Sequence, residues 1–179
     1  MHTLILTGGG SAGHAVPNLA LIPLLKDRFR LAYIGTAGIE RGLLKNTGVP
    51  FCTIRAAKLV RGSLTKNLTL PFRFLRGIRE AKRALREARA EAVFSKGGYV
   101  ALPVVFAARS LGIPVISHES DLTPGLANRL AAKKCRAVLT SFPETAAKFR
   151  NGKYVGPPVR RELFGGDRAA ALSKYGFSG

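Results

Sequence analysis

Short apolar runs and helix-period patterns take turns along this chain, and that alternation restricts the fold more than any other feature. The runs lie at 2–6, 31–35, 51–55, 92–95, 114–118, 137–140 and 153–155. Between them, helical spacing of apolar residues covers 15–26, 39–46, 70–89, 101–111, 124–133, 143–149 and 167–175. A strand buried on both faces reads as a continuous apolar run. The alternation therefore predicts an α/β domain: a parallel sheet with helices on both faces. Ligands of such sheets bind beyond the carboxyl ends of the strands. Function is therefore expected in loops 7–14, 35–38, 56–69, 95–100, 118–124 and 141–143. The stretch "GPPVRRELFGGD" reads as a linker leaving the sheet, which sets a domain over 1–157 and a linker region over 158–179.

The first of these loops, "GGGSAGH" over 8–14, joins the first strand to the first helix. Leu19, Ile22 and Leu25 follow at helical spacing, and Pro17 is expected in the first helical turn, where its lost N–H costs little. A glycine loop lets backbone N–H groups approach an anion, and a helix N-terminus adds partial positive charge. Gly8, Gly10 and Gly13 match the dinucleotide spacing G-x-G-x-x-G. The second strand, however, ends in Gly35-Thr36 without the carboxylate that would hold a ribose. Gly13 is followed by His14, not by the lysine of a phosphate-binding P-loop. Both nucleotide readings are weakened by these departures, and the anion site survives them.

Two further loops carry chemistry. Ser95-Lys96-Gly97-Gly98-Tyr99 places a second glycine pair between a strand and a helix. The fifth strand runs into His118-Glu119-Ser120-Asp121, followed by Thr123 and Pro124, which read as the cap and first residue of the next helix. Asn128 follows Pro124 by one helical turn, so it is expected to face the same crevice.

Charge points the same way. The chain carries 29 lysines and arginines against 10 acidic residues, a net +19, which favours anionic partners. Nucleic acid is not expected among them, because the basic tracts hold few aromatic residues and no reader motif. Cys52 and Cys135 have no metal-type spacing and form no disulfide framework, so neither metal nor cofactor is expected and a reducing compartment fits. The first apolar run is too short for a signal peptide, and none is long enough to span a bilayer.

Taken together, "GGSAGH" (9–14), "KGGYVALP" (96–103) and "HESDLTPGLANR" (118–129) resemble the three motifs of the acceptor domain in the MurG family of peptidoglycan glycosyltransferases. The order and strand-end placement agree over nearly the whole chain. The resemblance implies a Rossmann-like domain forming the N-terminal half of a two-domain GT-B enzyme. Such an enzyme moves N-acetylglucosamine from UDP to the 4-hydroxyl of lipid I, the undecaprenyl-diphosphate-linked muramoyl-pentapeptide, with inversion, and gives lipid II. UDP-N-acetylglucosamine would bind to a C-terminal half outside these residues, so this half alone is expected to be inactive. The family usually has G-G-T-G-G-H, where Ser11 and Ala12 now replace Thr and Gly. It commonly has H-E-Q-N, where Ser120 and Asp121 now replace Gln and Asn. A negative Asp121 suits a sugar hydroxyl or a loop bond better than a phosphate.

The implied roles follow residue by residue. Gly10, Ser11, Ala12 and Gly13, with Gly98 and Tyr99, would cradle the acceptor diphosphate. His14 is the leading general base, with the role of diphosphate ligand equally open to it, and Glu119 is its rival as base. His118, Asp121 and Asn128 complete the acceptor site, with His118 as a hydrogen-bonded support. In the helix over 70–89, Phe74, Ile78, Ala81, Leu85 and Ala88 form the core stripe. Leu68, Phe72 and Leu75 group instead with Arg79, Arg83 and Arg86. Because the implied acceptor is a lipid, this second face is expected to dock on an anionic membrane surface, at the cytoplasmic face of the bacterial membrane.

Overall fold

The computed structural model describes residues 1–59 and 62–176. Strands β1 (His2–Thr7), β2 (Phe29–Gly35), β3 (Phe51–Thr53), β4 (Ala92–Ser95), β5 (Val115–Glu119), β6 (Ala137–Thr140) and β7 (Gly152–Tyr154) form one sheet. All neighbours pair in parallel, in the order β3-β2-β1-β4-β5-β6-β7. Helices α1 (Ala12–Leu25), α2 (Ile39–Leu44), α3 (Leu64–Asn67), α4 (Leu70–Glu87), α5 (Ala101–Ser110), α6 (Leu126–Ala132), α7 (Pro143–Ala146) and α8 (Arg168–Tyr175) connect and follow the strands. The expected Rossmann-like class is the observed one.

The two-residue period of β1 divides the core. Ile5 joins Ile34, Leu85, Val93, Val104 and Val115 in one cluster, which α4 and α5 cover. Leu6 faces the other way, into a cluster with Ile22, Leu31, Tyr33 and Leu44 from α1, β2 and α2. Each face is sealed by helices, which is why the strands read as unbroken apolar runs. The stripe expected on α4 is its core face: Ala81 and Leu85 are buried, Ile78 and Ala88 pack on the same cluster, and Phe74 meets Phe106 edge-on at 5.5 Å.

Two helix starts differ from expectation. Helix α1 begins at Ala12, so Pro17 lies inside it, together with Pro23. The bond that Pro17 cannot donate is the one to the carbonyl of Gly13, next to the open rim of the loop. Helix α6 begins at Leu126, with extended Gly125 before it, so Thr123 and Pro124 are neither cap nor first residue. Tertiary contacts hold that loop open: Thr145 Oγ1 donates to the carbonyls of Asp121 (3.2 Å) and Leu122 (3.0 Å), and Lys148 Nζ donates to Leu122 (2.8 Å). The expected linker contributes a 3-10 turn over Arg161–Phe164 and helix α8, neither of which buries a residue. Val60 and Arg61, in the loop expected over 56–69, lie outside the described residues.

Candidate functional site

The strand order reverses between β1 and β4, where the chain turns back across the sheet. A crevice opens beyond the carboxyl ends of strands at such a switch point. Both glycine loops sit there. The Gly9 N–H donates to the Gly97 carbonyl at 3.4 Å, so the loops touch backbone to backbone. Gly98, at φ +79°, has no room for a Cβ, which would strike the Gly9 carbonyl and come 2.9 Å from His14 Cδ2. A Cβ on Gly10 would strike the Tyr99 ring, and one on Gly97 the Asn128 amide. Glycine is required here by close approach and by backbone angle together.

Beyond this junction the backbone of residues 10–13 is exposed. The N–H groups of Ala12 and Gly13 belong to the first turn of α1, where no carbonyl four residues back is available. A Cβ on Gly13 would lie in open space, with Ser11 Oγ at 3.9 Å as its near neighbour. Gly10 differs: its N–H donates to Glu40 Oε2 at 3.3 Å.

His14 is the third residue of α1, and its Nδ1 lies 3.2 Å from the Lys96 carbonyl. A carbonyl only accepts, so the proton sits on Nδ1 and the neutral ring keeps its lone pair on Nε2. Glu119 is buried, and both its oxygens are used: Asn128 Nδ2 donates to Oε2 at 2.8 Å and the Asp121 N–H to Oε1 at 3.0 Å. Glu119 thereby holds the loop after β5 against α6. Asp121 is exposed.

His118 is 3% exposed, and its Nε2–H donates to the Gly156 carbonyl at 3.0 Å, while Nδ1 is buried without a partner among the described residues. Burial pulls its pKa down to about 4, aided by the nearby Lys96 charge and opposed by the Gly156 bond. The folded value lies below the unfolded one, so the unfolded state binds the extra proton as pH falls. Stability is lost between about pH 6.5 and 4, by about 3 kcal/mol from this group. Urea unfolding of the wild type and His118→Gln at pH 7, 5 and 4 measures this; the variant should show the shallower decline, and equal declines refute it.

Two residues escaped the sequence reading. Glu40, in the first turn of α2, is fully buried and accepts from Thr36 N at 2.8 Å, Thr36 Oγ1 at 2.6 Å and Gly10 N. Burial alone would raise its pKa, but these bonds hold it below the ordinary carboxylate range. A carboxylate does stand near the end of β2, five residues after Gly35, and it ties loops together. The signal was an acidic residue at a helix start, where local capping explains it equally well. Lys96, inside the second motif, is 1% exposed and bonds through its ammonium to Ser120 Oγ.

The face expected to dock on membrane lies on α4 and the turn before it. Leu68 is 72% exposed and Phe72 is 75% exposed; Leu75, Arg79, Arg83 and Arg86 are exposed as well. Arg83 is paired with Glu87 at 2.7 Å. No helix among the described residues is long and apolar enough to cross a membrane. A separate open cavity of about 970 Å³, lined by Arg129, Lys133, Arg136, Lys148 and Arg150 among others, holds none of the expected site residues. Strand-end geometry, not cavity volume, therefore locates the site.

Residues 4–140 match the model of the glycosyltransferase family 28 N-terminal domain. The chain belongs to this family. A relative from Lachnospira eligens, named UDP-N-acetylglucosamine–N-acetylmuramyl-(pentapeptide) pyrophosphoryl-undecaprenol N-acetylglucosamine transferase, is 47% identical over 99% of this chain and 51% of its own length. A relative of the same name from Clostridium kluyveri is 48% identical over 99% and 51%. This family 28 domain thus spans about half the length of the curated relatives it matches. Among solved structures, MurG of Acinetobacter baumannii superposes with a TM-score of 0.76 at 30% identity, over 90% of this chain and 47% of that one. The UDP-GlcNAc 2-epimerase of Methanocaldococcus jannaschii, at TM-score 0.61 and 13% identity over 87% of this chain and 45% of that one, shares the fold alone.

Proposed function

We propose that residues 1–157 form the acceptor-binding half of an inverting glycosyltransferase and that 158–179 lead towards a donor half. The enzyme would move N-acetylglucosamine from UDP to the 4-hydroxyl of lipid I, giving lipid II. The observation that carries this reading is the junction itself: two glycine loops meet at the sheet's switch point, beside a histidine whose Nε2 lone pair is free. The names of relatives at 47–48% identity supply the substrates.

In this reading the N–H groups of Ser11, Ala12 and Gly13, with those of Gly98 and Tyr99, receive the acceptor diphosphate. Gly10 takes a smaller part, because Glu40 already engages its N–H. His14 Nε2 accepts the proton of the attacking hydroxyl while the Lys96 carbonyl fixes the ring. Glu119 acts as a positioning residue, its oxygens spent on Asn128 and Asp121. Gly13→Val tests the cradle cleanly, since the added side chain meets open space and spares the fold. Titrated with a short-chain lipid I analogue, the variant should bind at least about tenfold more weakly, a loss of about 1.4 kcal/mol. Equal affinities for two folded proteins would move the anion site elsewhere.

The same reading places the domain at the cytoplasmic face of the membrane, docked through Leu68, Phe72 and Leu75 with Arg79 and Arg86. Inserting each large apolar side chain contributes about 1.5–3 kcal/mol, and each arginine near an anionic leaflet about 1 kcal/mol. Salt screens only the second contribution. Phe72→Ser/Leu75→Ser should lose the salt-resistant part of binding to phosphatidylglycerol vesicles, and Arg79→Gln/Arg86→Gln the salt-sensitive part. Co-sedimentation at low and high salt reads both, and unchanged binding in both variants would discard this face.

A further inference from the structure

Lys96 touches all three loops of the crevice. Its Cβ would lie 2.9 Å from a Cβ on Gly8, in the first loop. Its carbonyl receives the His14 Nδ1–H. Its ammonium reaches Ser120 Oγ, in the loop after β5. A lysine with 1% exposure is costly to keep charged, so its surroundings must account for it. Those surroundings are acidic. Glu119 on β5 and Asp121 beyond it both attract the ammonium, while neutral His118 on β5 adds no charge that offsets them, and His14 on α1 faces the Lys96 carbonyl. Glu40 brings a third carboxylate to the crevice from α2. An anion entering here would meet carboxylates on two sides.

We propose that Lys96 is the positioning residue that makes this acidic crevice receptive to an anion: its link to Ser120 sets the loop after β5 against the second glycine loop, and its charge offsets Asp121. The proposal deepens the acceptor reading and rests on it for the identity of the ligand, a diphosphate ester. It also accounts for Asp121, whose charge would otherwise stand unopposed beside an incoming anion. Asp121 shares the Lys96 charge with Glu119, so loss of the lysine leaves Asp121 facing the anion while loss of both removes that repulsion.

The pair has a signature in pH. Burial pulls the Lys96 pKa from 10.5 down to about 8, with Glu119 and Asp121 opposing the fall. Anion affinity should therefore decline as pH rises through about 8 and the ammonium is lost. Stability moves the other way. The unfolded chain keeps that proton up to about 10.5, so the unfolded state binds more protons between the two values and the fold gains stability as pH rises. A residue that merely supported the fold would not weaken binding while stability increased.

Isothermal titration of the chain with inorganic pyrophosphate and with a short-chain lipid I analogue, from pH 6.5 to 9.5, tests this, alongside Lys96→Met, Asp121→Asn and the double variant. One unbalanced charge near the ligand corresponds to about a tenfold change in affinity. Lys96→Met should lose at least that factor for both probes and lose the pH step. Lys96→Met/Asp121→Asn should regain most of the affinity without regaining the step. Asp121→Asn alone, which removes an attraction that holds the proton, should shift the step to lower pH. The last variant and the wild type decide the matter even if the Met variants fail to fold. A double variant no better than Lys96→Met, or a wild type without the step, overturns the proposal. Pyrophosphate following this pattern while the lipid I analogue fails to bind would sink the acceptor reading and leave the role of Lys96 standing.

Discussion

His14→Ala, in a polypeptide extended to the full length of its relatives, is expected to lower kcat for N-acetylglucosamine transfer by about 10²- to 10⁴-fold, with the acceptor KM changed only a few-fold. The Lys96 carbonyl fixes the proton on Nδ1, so the ring offers an unprotonated Nε2 in a fixed direction. A base that acts only while the hydroxyl proton moves is felt in kcat. A residue that holds the diphosphate equally in ground and transition states is felt in KM. Steady-state kinetics with varied acceptor separates the two. A KM effect alone would make His14 a ligand, and an unaltered rate at saturating acceptor would remove it from the chemistry. Glu119 is a poor replacement, because withdrawing it as a base would break its bonds to Asn128 and Asp121.

Gly98→Ala is expected to cost about a hundredfold in kcat/KM, or about 2.7 kcal/mol of transition-state stabilisation. The methyl group would enter a backbone at φ +79°, which costs an L-residue about 1–2 kcal/mol. It would also strike the Gly9 carbonyl, a backbone atom held by the loop and unable to swing aside as a side chain could. Relief requires the two glycine loops to separate, which breaks the Gly9–Gly97 bond and displaces His14. The sheet core lies away from this rim, so the variant should fold with a lowered Tm. Gly13→Ala is the control, since its methyl group meets open space and should be almost neutral for stability. Equal kcat/KM for wild type and Gly98→Ala would mean that the loops need not meet.

The architecture was legible in the sequence because parallel strands covered on both faces must be apolar throughout. Runs such as Leu4–Leu6 and Val93–Phe94 admit few other structures once helical patterns flank them. The glycine loops were legible for a related reason: Gly10, Gly97 and Gly98 adopt positive φ, and few other residues do. The two faces of α4 followed from helical periodicity alone, since residues one turn apart share a face whatever the helix packs against.

Local signals failed where distant groups competed with them. Thr123-Pro124 looked like a helix start, yet hydroxyl and ammonium donors from Thr145 and Lys148 tie down the loop before them, and the helix begins only after Gly125. Glu40 and Lys96 gave no sign of tying loops together, because the partners through which they do so lie far along the chain, at Gly10 and Ser120. Periodicity and turn chemistry report on neighbours in sequence. The charge balance of a crevice depends on which loops the sheet order brings together, and the β1–β4 reversal gathers the loops of Lys96, Glu40 and β5 at one end of the sheet. The sequence by itself thus determined the fold and which strand-end loops form the candidate site. The tertiary structure decided how the charges there are balanced, because a buried ion is set by all its neighbours in space.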